Sequence, residues 1–346
     1  MKNLDNKLGL FCANLNDCRA CPACASLPVM NTPKRPMQPP MEEPLDHRQF
    51  VAALSPEQRR ALTAKSDSAG LLHLAGHLTL IAVLATAVIA KVPFWWALML
   101  PLGVALIFLF TLNHEAIHRT AFAADWLNET VSRVCALLLI LPATWFRFFH
   151  FEHHRHTQDP DRDPELAGTP PETRLAWLWH VSGIPLWISA LRGLFTNAAG
   201  LNRDPFVPPS ARGRVQREAL TMVAVYLGLL AVSLWLQTAV LLWVWIIPAL
   251  LGQPFLRLYL LAEHGRCAFV ANMFENSRTT FTGPLVRFLA WNMPYHAEHH
   301  AFPTVPFFRL PQLHRLTAPH LRVTSPGYRD FTARSLAALG DNSPKT

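Results

Sequence analysis

Charged residues are scarce in this sequence. Asp, Glu, Lys and Arg together make up 16% of its 346 residues, whereas hydrophobic residues reach 51%. A soluble domain usually carries about 25% charged residues. Tyrosine is also rare, with 4 residues against 21 Phe and 11 Trp. The composition therefore argues against an ordinary cytosolic enzyme and favours a protein with much of its surface in lipid.

The sequence also lacks a basic stripe, although its formal net charge is +8. Its arginines are spread through the loops between apolar segments, whereas a nucleic-acid site requires basic residues clustered on one face. Basic loops are instead typical of the cytoplasmic side of a membrane protein. We therefore expect no nucleic-acid partner.

The 6 cysteines do not indicate a disulfide framework. Cys135 and Cys267 have no close sequence partner, and the other four lie within residues 1–45: Cys12, Cys18, Cys21 and Cys24. That segment is polar and Pro-rich and lacks the features of a signal peptide. We expect a disordered extension, with an alternative start at Met37 or Met41. The cysteine spacing could hold zinc or an iron–sulfur cluster, but the lack of an apolar core around it favours an accidental spacing.

Four apolar runs occur within residues 46–330, each close to the roughly 20 residues that cross a bilayer as a helix. The predicted spans are 71–90, 94–112, 219–237 and 239–262. Since the connections within the first pair and within the second pair are very short, we predict two hairpins in one membrane domain. Residues 331–346 are expected to form a flexible tail.

The segment of about 119–217 contains no clean full-length span. Its Trp-rich part, Arg174 to Phe195, is interrupted by Gly183 and Pro185, which suits a helix lying in the membrane interface. Near the start of the domain, Ser55 to Gln58 follow the pattern of a helix N-terminal capping box with Pro at the first position. We predict a short amphipathic helix there.

Over half of the 16 histidines lie in or beside three short segments, which we call boxes one, two and three: HEAIH (114–118), HFEHH (150–154) and HAEHH (296–300). Histidines spaced i, i+3 and i+4 share one face of a helix. Because this spacing recurs three times, it predicts metal binding. The candidate ligands in the boxes are His114, His118, His150, His153, His154, His296, His299 and His300.

Eight imidazoles exceed what one ion can take, so the boxes predict two metal ions. Imidazole suits zinc, copper, iron and nickel, and a hydrolytic zinc would need only about three protein ligands. A ligand set this rich favours a pair of redox ions, most economically iron. Two irons can activate O₂ and attack an unactivated C–H bond, which no side chain can do alone.

The charge distribution predicts where the boxes lie. The turns near Lys91 and Gln237 carry almost no charge. The loop before the third span, in contrast, carries four arginines: Arg203, Arg212, Arg214 and Arg217. By the positive-inside rule both termini and all three boxes are cytoplasmic. We therefore predict an all-α integral membrane protein with four transmembrane helices in two hairpins, interfacial helices and a cytoplasmic histidine-box cap.

The three boxes, the two hairpins and the stretch NMPYHAEHHAFPTVPFFRLPQLH (292–314) resemble the membrane fatty acid desaturase superfamily over roughly residues 70 to 320. The resemblance implies a non-haem di-iron centre, O₂ as co-substrate, and electrons from a separate donor such as ferredoxin or cytochrome b5 with its reductase. Its ligand pattern carries over to the eight box histidines. Some members add one histidine after the fourth span, and His264 matches that position, which implies a ninth ligand.

Other histidines are expected to have different roles. His73 and His77 repeat the i,i+4 spacing without a partner box, which favours a structural or interfacial role. His156 lies beyond box two and is expected at the surface or behind the ligands. His314 and His320 are expected to be ordinary surface residues.

The sequence allows two roles for each group of acidic residues within and after the boxes. Glu115, Glu152 and Glu298 could orient imidazole N–H groups, or they could form a solvated helix face. The acidic stretch Asp159 to Glu165 could clamp arginines or cap a helix.

The leading functional hypothesis is an O₂-dependent acyl-lipid desaturase, in which an apolar substrate enters from the bilayer. One alternative is a hydroxylase or ketolase of a lipid or carotenoid with the same di-iron site. Another is a non-enzymatic membrane protein that holds zinc structurally, although a structural zinc site normally closes with four ligands.

Overall fold

The computed structural model describes residues 45–168 and 171–339. The cysteines of the predicted N-terminal extension lie outside the described residues, as do 340–346. The described part is mostly helical, with sixteen α-helices in chain order. The first eight are α1 His47–Ala53, α2 Pro56–Thr63, α3 Asp67–Ile89, α4 Trp95–Ile107, α5 Leu109–Ile117, α6 Asp125–Leu139, α7 Ala143–His156 and α8 Arg174–Val181.

The remaining helices are α9 Ile184–Ala198, α10 Pro209–Trp235, α11 Ile247–His264, α12 Met273–Asn276, α13 Pro284–Leu289, α14 His296–Ala301, α15 Leu310–Thr317 and α16 Tyr328–Ala337. A π-helical turn, Leu242–Ile246, leads into α11, and 3-10 turns lie at Pro164–Ala167 and Phe307–Arg309. The described residues contain one small parallel sheet, in which β1 (Thr279–Thr280) pairs with β2 (Thr324–Ser325).

Four helical runs among the described residues are long and apolar enough to cross a membrane: Pro56–Ile89, Trp95–Ile117, Pro209–Trp235 and Leu242–His264. Each overlaps one predicted span, so the prediction of four candidate transmembrane helices is confirmed. The second run continues through α5 instead of ending at 112, and His114 is therefore inside a helix rather than just beyond one.

Helix α4 lies between α3 and α11, and its contact with α11 is very close. A Cβ added at Gly103 would come within 1.8 Å of the Pro248 carbonyl oxygen, and one at Gly252 within 2.3 Å of the Gly103 backbone. Small residues at helix crossings allow such close backbone approach in membranes. This crossing fixes the position of α11, which carries His264 at its last residue.

The segment between the two pairs of long helices folds back on itself. Helices α6 and α7 meet at a bend of 98°, and α7 carries box two. The start of α7 is anchored from α10, because the backbone N–H groups of Ala143 and Thr144 donate to the Glu218 carboxylate at 3.0 and 2.8 Å. Gly183, at φ 74°, separates α8 from α9, as the interruption in the sequence predicted.

The structure tests two predictions about the ends of the domain, namely the capping box near its start and the boundary at 330. Helix α2 has the predicted capping box, in which Ser55 accepts from the Gln58 backbone N–H and the Gln58 side chain accepts in return. The domain boundary predicted at 330 is corrected, because it falls inside α16. That helix buries Phe331 beneath the Arg278 guanidinium, 4.7 Å from the ring centroid, so the folded region extends to Ala337.

Replacing Gly103 with Ala tests the α4–α11 crossing. The added methyl would overlap backbone atoms that cannot move independently, and overpacking of this kind costs about 1–3 kcal/mol. We expect a lower unfolding temperature for the purified protein in detergent, followed by circular dichroism. The matched control is Gly228→Ala on α10, since no described atom lies within 4 Å of the Cβ that it adds. Equal stability of the two variants would contradict the packing argument.

Candidate metal centre

Box one lies at the end of α5, deep in the protein. His114 is buried, and His118 follows the last residue of the helix as its C-cap. Because the two histidines are four positions apart on a helix, their rings face the same side, with centroids 5.1 Å apart. Box one therefore presents two imidazoles in one direction.

Box two lies in the last two turns of α7, and box three forms the short helix α14. The i, i+3, i+4 spacing directs the box-two imidazoles towards box one, and the ring of His150 lies 4.3 Å from that of His114. All three histidines of box three are buried. The three predicted boxes thus meet in one place.

Five box histidines form what we call the first histidine group: His114, His118, His150, His154 and His299. One ring nitrogen from each lies within 4.8 Å of all the others. The Nε2 atoms of His150 and His118 are 2.9 Å apart, and those of His299 and His154 are 3.2 Å apart. This group has enough donors for one ion.

The second histidine group contains His153, His264 and His300, whose ligand atoms again lie within 4.8 Å of one another. His296 joins it, since its Nε2 is 2.8 Å from that of His264. The rings of His154 and His300 stack at 4.1 Å, so the two groups are adjacent. The structure therefore brings together all nine residues that the sequence singled out, including His264.

Hydrogen bonds on the outer nitrogens determine the tautomers of the second histidine group. The Nδ1 of His264 lies 3.0 Å from the Asn276 backbone carbonyl, which can only accept. Nδ1 must therefore carry the proton, and the lone pair of Nε2 points inward. The Nδ1 of His300 likewise faces the Thr157 hydroxyl oxygen at 3.2 Å, because that hydroxyl donates its own hydrogen to the His153 carbonyl.

A carboxylate has the same effect on His153. Asp163 accepts from Nδ1 of His153 at 2.9 Å, which favours the Nδ1–H tautomer and leaves the Nε2 lone pair directed at the other imidazoles. Glu263 lies 3.2 Å from Nδ1 of His296, but the two side chains do not form a hydrogen bond. Lone pairs that face one another at about 3 Å repel unless a cation lies between them. This donor set fits a metal ion.

Burial keeps the box-three imidazoles neutral. It lowers the pKa of His296, His299 and His300 well below the ordinary histidine value, and neighbouring histidines lower these pKa values further. A neutral imidazole is the form that binds a metal. Among the described residues, both ring nitrogens of His114 and Nε2 of His300 have no hydrogen-bond partner, which also fits nitrogens reserved for an ion.

Asp163 is a functional residue whose role the sequence left undecided. Its side chain accepts from the Glu165 backbone N–H, and so caps the 3-10 turn, while it also holds His153. Burial raises the pKa of its carboxyl group, but the hydrogen bonds from His153 and from backbone N–H groups lower it by more, so the carboxylate remains ionised. The helix-capping interpretation is confirmed; the contact with His153 could be found only in three dimensions.

The acidic residues of the boxes differ from one another. Glu115 is fully buried, accepts from the Thr120 hydroxyl and the Phe307 backbone N–H, and lies 3.9 Å from Nδ1 of His299. Glu152 instead pairs with Arg155 at 2.6 Å. Glu115 is too buried for a solvated helix face, although its distance from His299 is too long for a hydrogen bond. A solvated helix face suits Glu152.

Glu298 bonds His314 and Thr279. The prediction that His314 is an ordinary surface residue was therefore wrong, because this carboxylate fixes it behind box three. The same prediction was wrong for His320, whose Nδ1 accepts from the Leu45 backbone N–H and whose ring packs 5.5 Å from that of Phe50.

Three other histidines, His73, His77 and His156, behave as predicted. His77 donates from Nε2 to the Ala105 carbonyl and accepts from the Trp291 indole, and His73 bonds the Phe288 carbonyl, so both are structural. His156 lies outside both histidine groups, with Nε2 at 3.4 Å from the Glu152 carboxylate.

Comparison with known proteins is consistent with this geometry. Dihydrorhizobitoxine desaturase of Bradyrhizobium elkanii is 28% identical over 69% of this chain and 71% of its own length. Sphingolipid delta(4)-desaturase DES1 of Drosophila melanogaster is 28% identical over 75% of this chain and 78% of its own length. The sn-1 oleoyl-lipid 12-desaturase of Picosynechococcus sp. is 35% identical, but the match covers only 22% of this chain and 23% of that protein.

The family match is broader than any of these pairwise similarities. The model for fatty acid desaturases matches residues 56–332, which include all three boxes and His264. Since this match spans well over half of the sequence, the chain belongs to the fatty acid desaturase family.

Proposed function

We propose that this protein is an integral membrane di-iron enzyme that uses O₂ to desaturate the acyl chain of a fatty acid or lipid. The observation that carries the proposal is the convergence of two groups of imidazoles from α5, α7, α11 and α14, of which α5 and α11 end apolar runs long enough to cross a membrane. The first histidine group would hold one iron and the second histidine group, with His296, would hold the other. Such an iron pair supplies O₂ activation and the cleavage of unactivated C–H bonds.

The overall reaction balances with an external reductant. Two adjacent methylene groups lose two hydrogens and become a double bond, while O₂ is reduced to two molecules of water with two electrons and two protons from outside. The proposal assigns the supply of these electrons to a separate donor such as ferredoxin or cytochrome b5 with its reductase. The protein's own residues position the imidazoles and bury them away from bulk water.

An acyl-lipid substrate suits the position of the centre. Box one forms the end of the apolar run Trp95–Ile117, so a lipid chain can reach the centre without crossing water. The names of the relatives include an oleoyl-lipid desaturase and a sphingolipid desaturase. We extend that substrate class to this chain as part of the proposal.

A hydroxylase is the second candidate. Its specific support is the printed name of a relative in Rattus norvegicus, sphingolipid delta(4)-desaturase/C4-monooxygenase DES2, which is 29% identical over 60% of each chain. Hydroxylation inserts one oxygen atom of O₂ into a C–H bond and reduces the other to water. Both outcomes begin with the removal of a hydrogen, so the same ligands serve either reaction.

The proposal includes the placement in the membrane. The four long helices cross it as two hairpins, α8 and α9 lie in the interface, and the histidine boxes and both termini face the cytoplasm. Exposed apolar side chains on α9 and α10 support contact with lipid, for example Leu191, Phe195 and Leu227. Arginines before and within the start of α10 support the cytoplasmic side for that end of the helix.

Loss of one ligand tests the assignment of His264. The variant His264→Ala removes a central member of the second histidine group, and we expect it to retain about half of the wild-type iron, measured by elemental analysis of the purified protein. His156→Ala is the matched control, since His156 lies outside both histidine groups. Wild-type iron content in the His264 variant would refute its role as a ligand.

Product analysis separates the two reactions. Lipids from cells expressing the wild-type protein should contain acyl chains lighter by two hydrogens in mass spectrometry, and cells expressing His153→Ala should not, although the variant is still inserted in the membrane. Removing one ligand disrupts one metal site while leaving the four apolar helices intact. A gain of one oxygen in place of the mass loss would establish the hydroxylase instead.

Reporter fusions in a bacterial host test the orientation. A fluorescent protein that matures only in the cytoplasm, fused after Thr346, should fluoresce, and alkaline phosphatase at the same position should be inactive. Alkaline phosphatase inserted at the turn near Gln237 should be active, because that turn is placed outside. The opposite pattern would overturn the proposed topology.

A further inference from the structure

A basic cavity lies beside the histidine boxes, on the side of α7 that faces α6 and α10. It has a volume of about 380 Å³ and is lined by residues of α5, α6, α7 and α10, together with Arg119. Four arginines and one glutamate line it: Arg119, Arg133, Arg147, Arg214 and Glu129. The mechanism proposed above does not use these groups.

The arginines are not equivalent. Arg119 pairs with Asp125 at 3.3 Å, and Arg133 pairs with Glu129 at 2.7 Å. Within residues 45–168 and 171–339, Arg147 and Arg214 have no carboxylate partner. Two guanidinium groups in one cavity thus form no ion pair with a carboxylate of the described residues, although Glu129 lies in the same cavity.

Aromatic rings hold both of these arginines in place. The Arg147 guanidinium lies 5.0 Å from the centre of the Phe151 ring, and that of Arg214 lies 6.0 Å from the centre of the Phe148 ring. Burial lowers the pKa of Arg147, and the nearby Arg119 and Arg214 lower it further, while Glu129 and Asp125 act in the opposite direction. An anion between them would relieve this repulsion.

The inner wall of the cavity is apolar and built from small side chains. Ala116, Ser132 and Ala143 are buried, whereas Arg119, Arg133 and Arg214 are exposed at the mouth. The cavity therefore offers positive charge towards solvent and apolar surface towards the protein interior. That combination matches an anionic amphiphile.

The inner wall also belongs to the helices that hold the metal ligands. Ala116 lies within box one, and Phe151 lies within box two with its ring 5.2 Å from that of His118. The Ser132 hydroxyl donates to Asn113, next to His114, at 2.7 Å. A group bound in this cavity is therefore one side-chain layer from the first histidine group.

We propose that this cavity binds the phosphate or carboxylate headgroup of the lipid substrate, so that the enzyme acts on anionic acyl lipids. The inference rests on the proposed function and names the substrate class of the same site. A volume of about 380 Å³ is near the lower end of the roughly 300–1,000 Å³ of small-molecule sites, which suits a headgroup and not a whole acyl chain. Arginine is also the residue best shaped for bidentate contact with phosphate and carboxylate.

The test measures binding separately from catalysis. Native mass spectrometry of the purified protein would compare dioleoyl phosphatidylglycerol, dioleoyl phosphatidylcholine and inorganic phosphate as added probes. We expect the anionic lipid to bind in preference to the zwitterionic one. The Arg147→Gln/Arg214→Gln variant should bind the anionic lipid about tenfold more weakly, the scale of one lost charged hydrogen bond.

Two further variants act as controls. Arg60→Gln removes an exposed arginine that is not at the cavity, and it should keep the wild-type preference. Arg147→Lys keeps the positive charge and should retain part of the preference for the anionic lipid. Equal binding of both lipids by the wild type, or an unchanged preference in the double variant, would overturn the inference. So would displacement of the anionic lipid by inorganic phosphate alone, which would mark a site for free phosphate.

The same variants distinguish a protein partner from a lipid. If the double variant binds lipid normally but is reduced more slowly by an acidic electron-donor protein, the arginines serve docking and the lipid proposal is wrong. Since binding does not require iron, failure of the desaturase proposal would appear separately, as selective lipid binding without any change in the lipid products.

Discussion

The arrangement of this protein depends on imidazole lone pairs that are forced to face one another. The outward N–H of His264 donates to the Asn276 carbonyl, and that of His300 donates to the Thr157 hydroxyl oxygen. Neither oxygen can donate a hydrogen to the imidazole in return. Their Nε2 lone pairs therefore point inward, where the Nε2 atoms of His153 and His296 also lie. Inward lone pairs of this kind are stabilised by positive charge between them, and burial disfavours the protonation of His296 and His300 because it lowers their pKa.

The packing of the helices keeps those ring nitrogens together. Box one, box two, box three and His264 come from four separate elements, and each is fixed from elsewhere. The close approach of Gly103 and Gly252 positions α11, Glu218 anchors the start of α7, and Glu298 with His314 supports box three. A displacement of about 1 Å at one of these supports would shift the ligand nitrogens, because a packed interior transmits strain.

The sequence predicted the parts of this arrangement that depend on local periodicity. The four apolar runs and the i, i+3, i+4 histidines are visible because helix geometry fixes which residues share a face. What the sequence did not predict are contacts between distant residues. Asp163 holding His153, Asn276 orienting His264 and His314 bonding Glu298 follow from tertiary packing. The predicted second span ended at 112 because the polar residues of box one follow it, yet those residues are buried within α5. Helix α16 was not predicted, because its buried residue, Phe331, packs against the distant Arg278.

The metal content of the wild-type protein, purified without added chelator, tests the central claim most directly. If both histidine groups bind redox ions, elemental analysis and Mössbauer spectroscopy should find about two non-haem irons per chain with nitrogen and oxygen ligands. One tightly bound zinc per chain, with iron absent and no O₂-dependent activity, would contradict the account and identify a structural metal site instead.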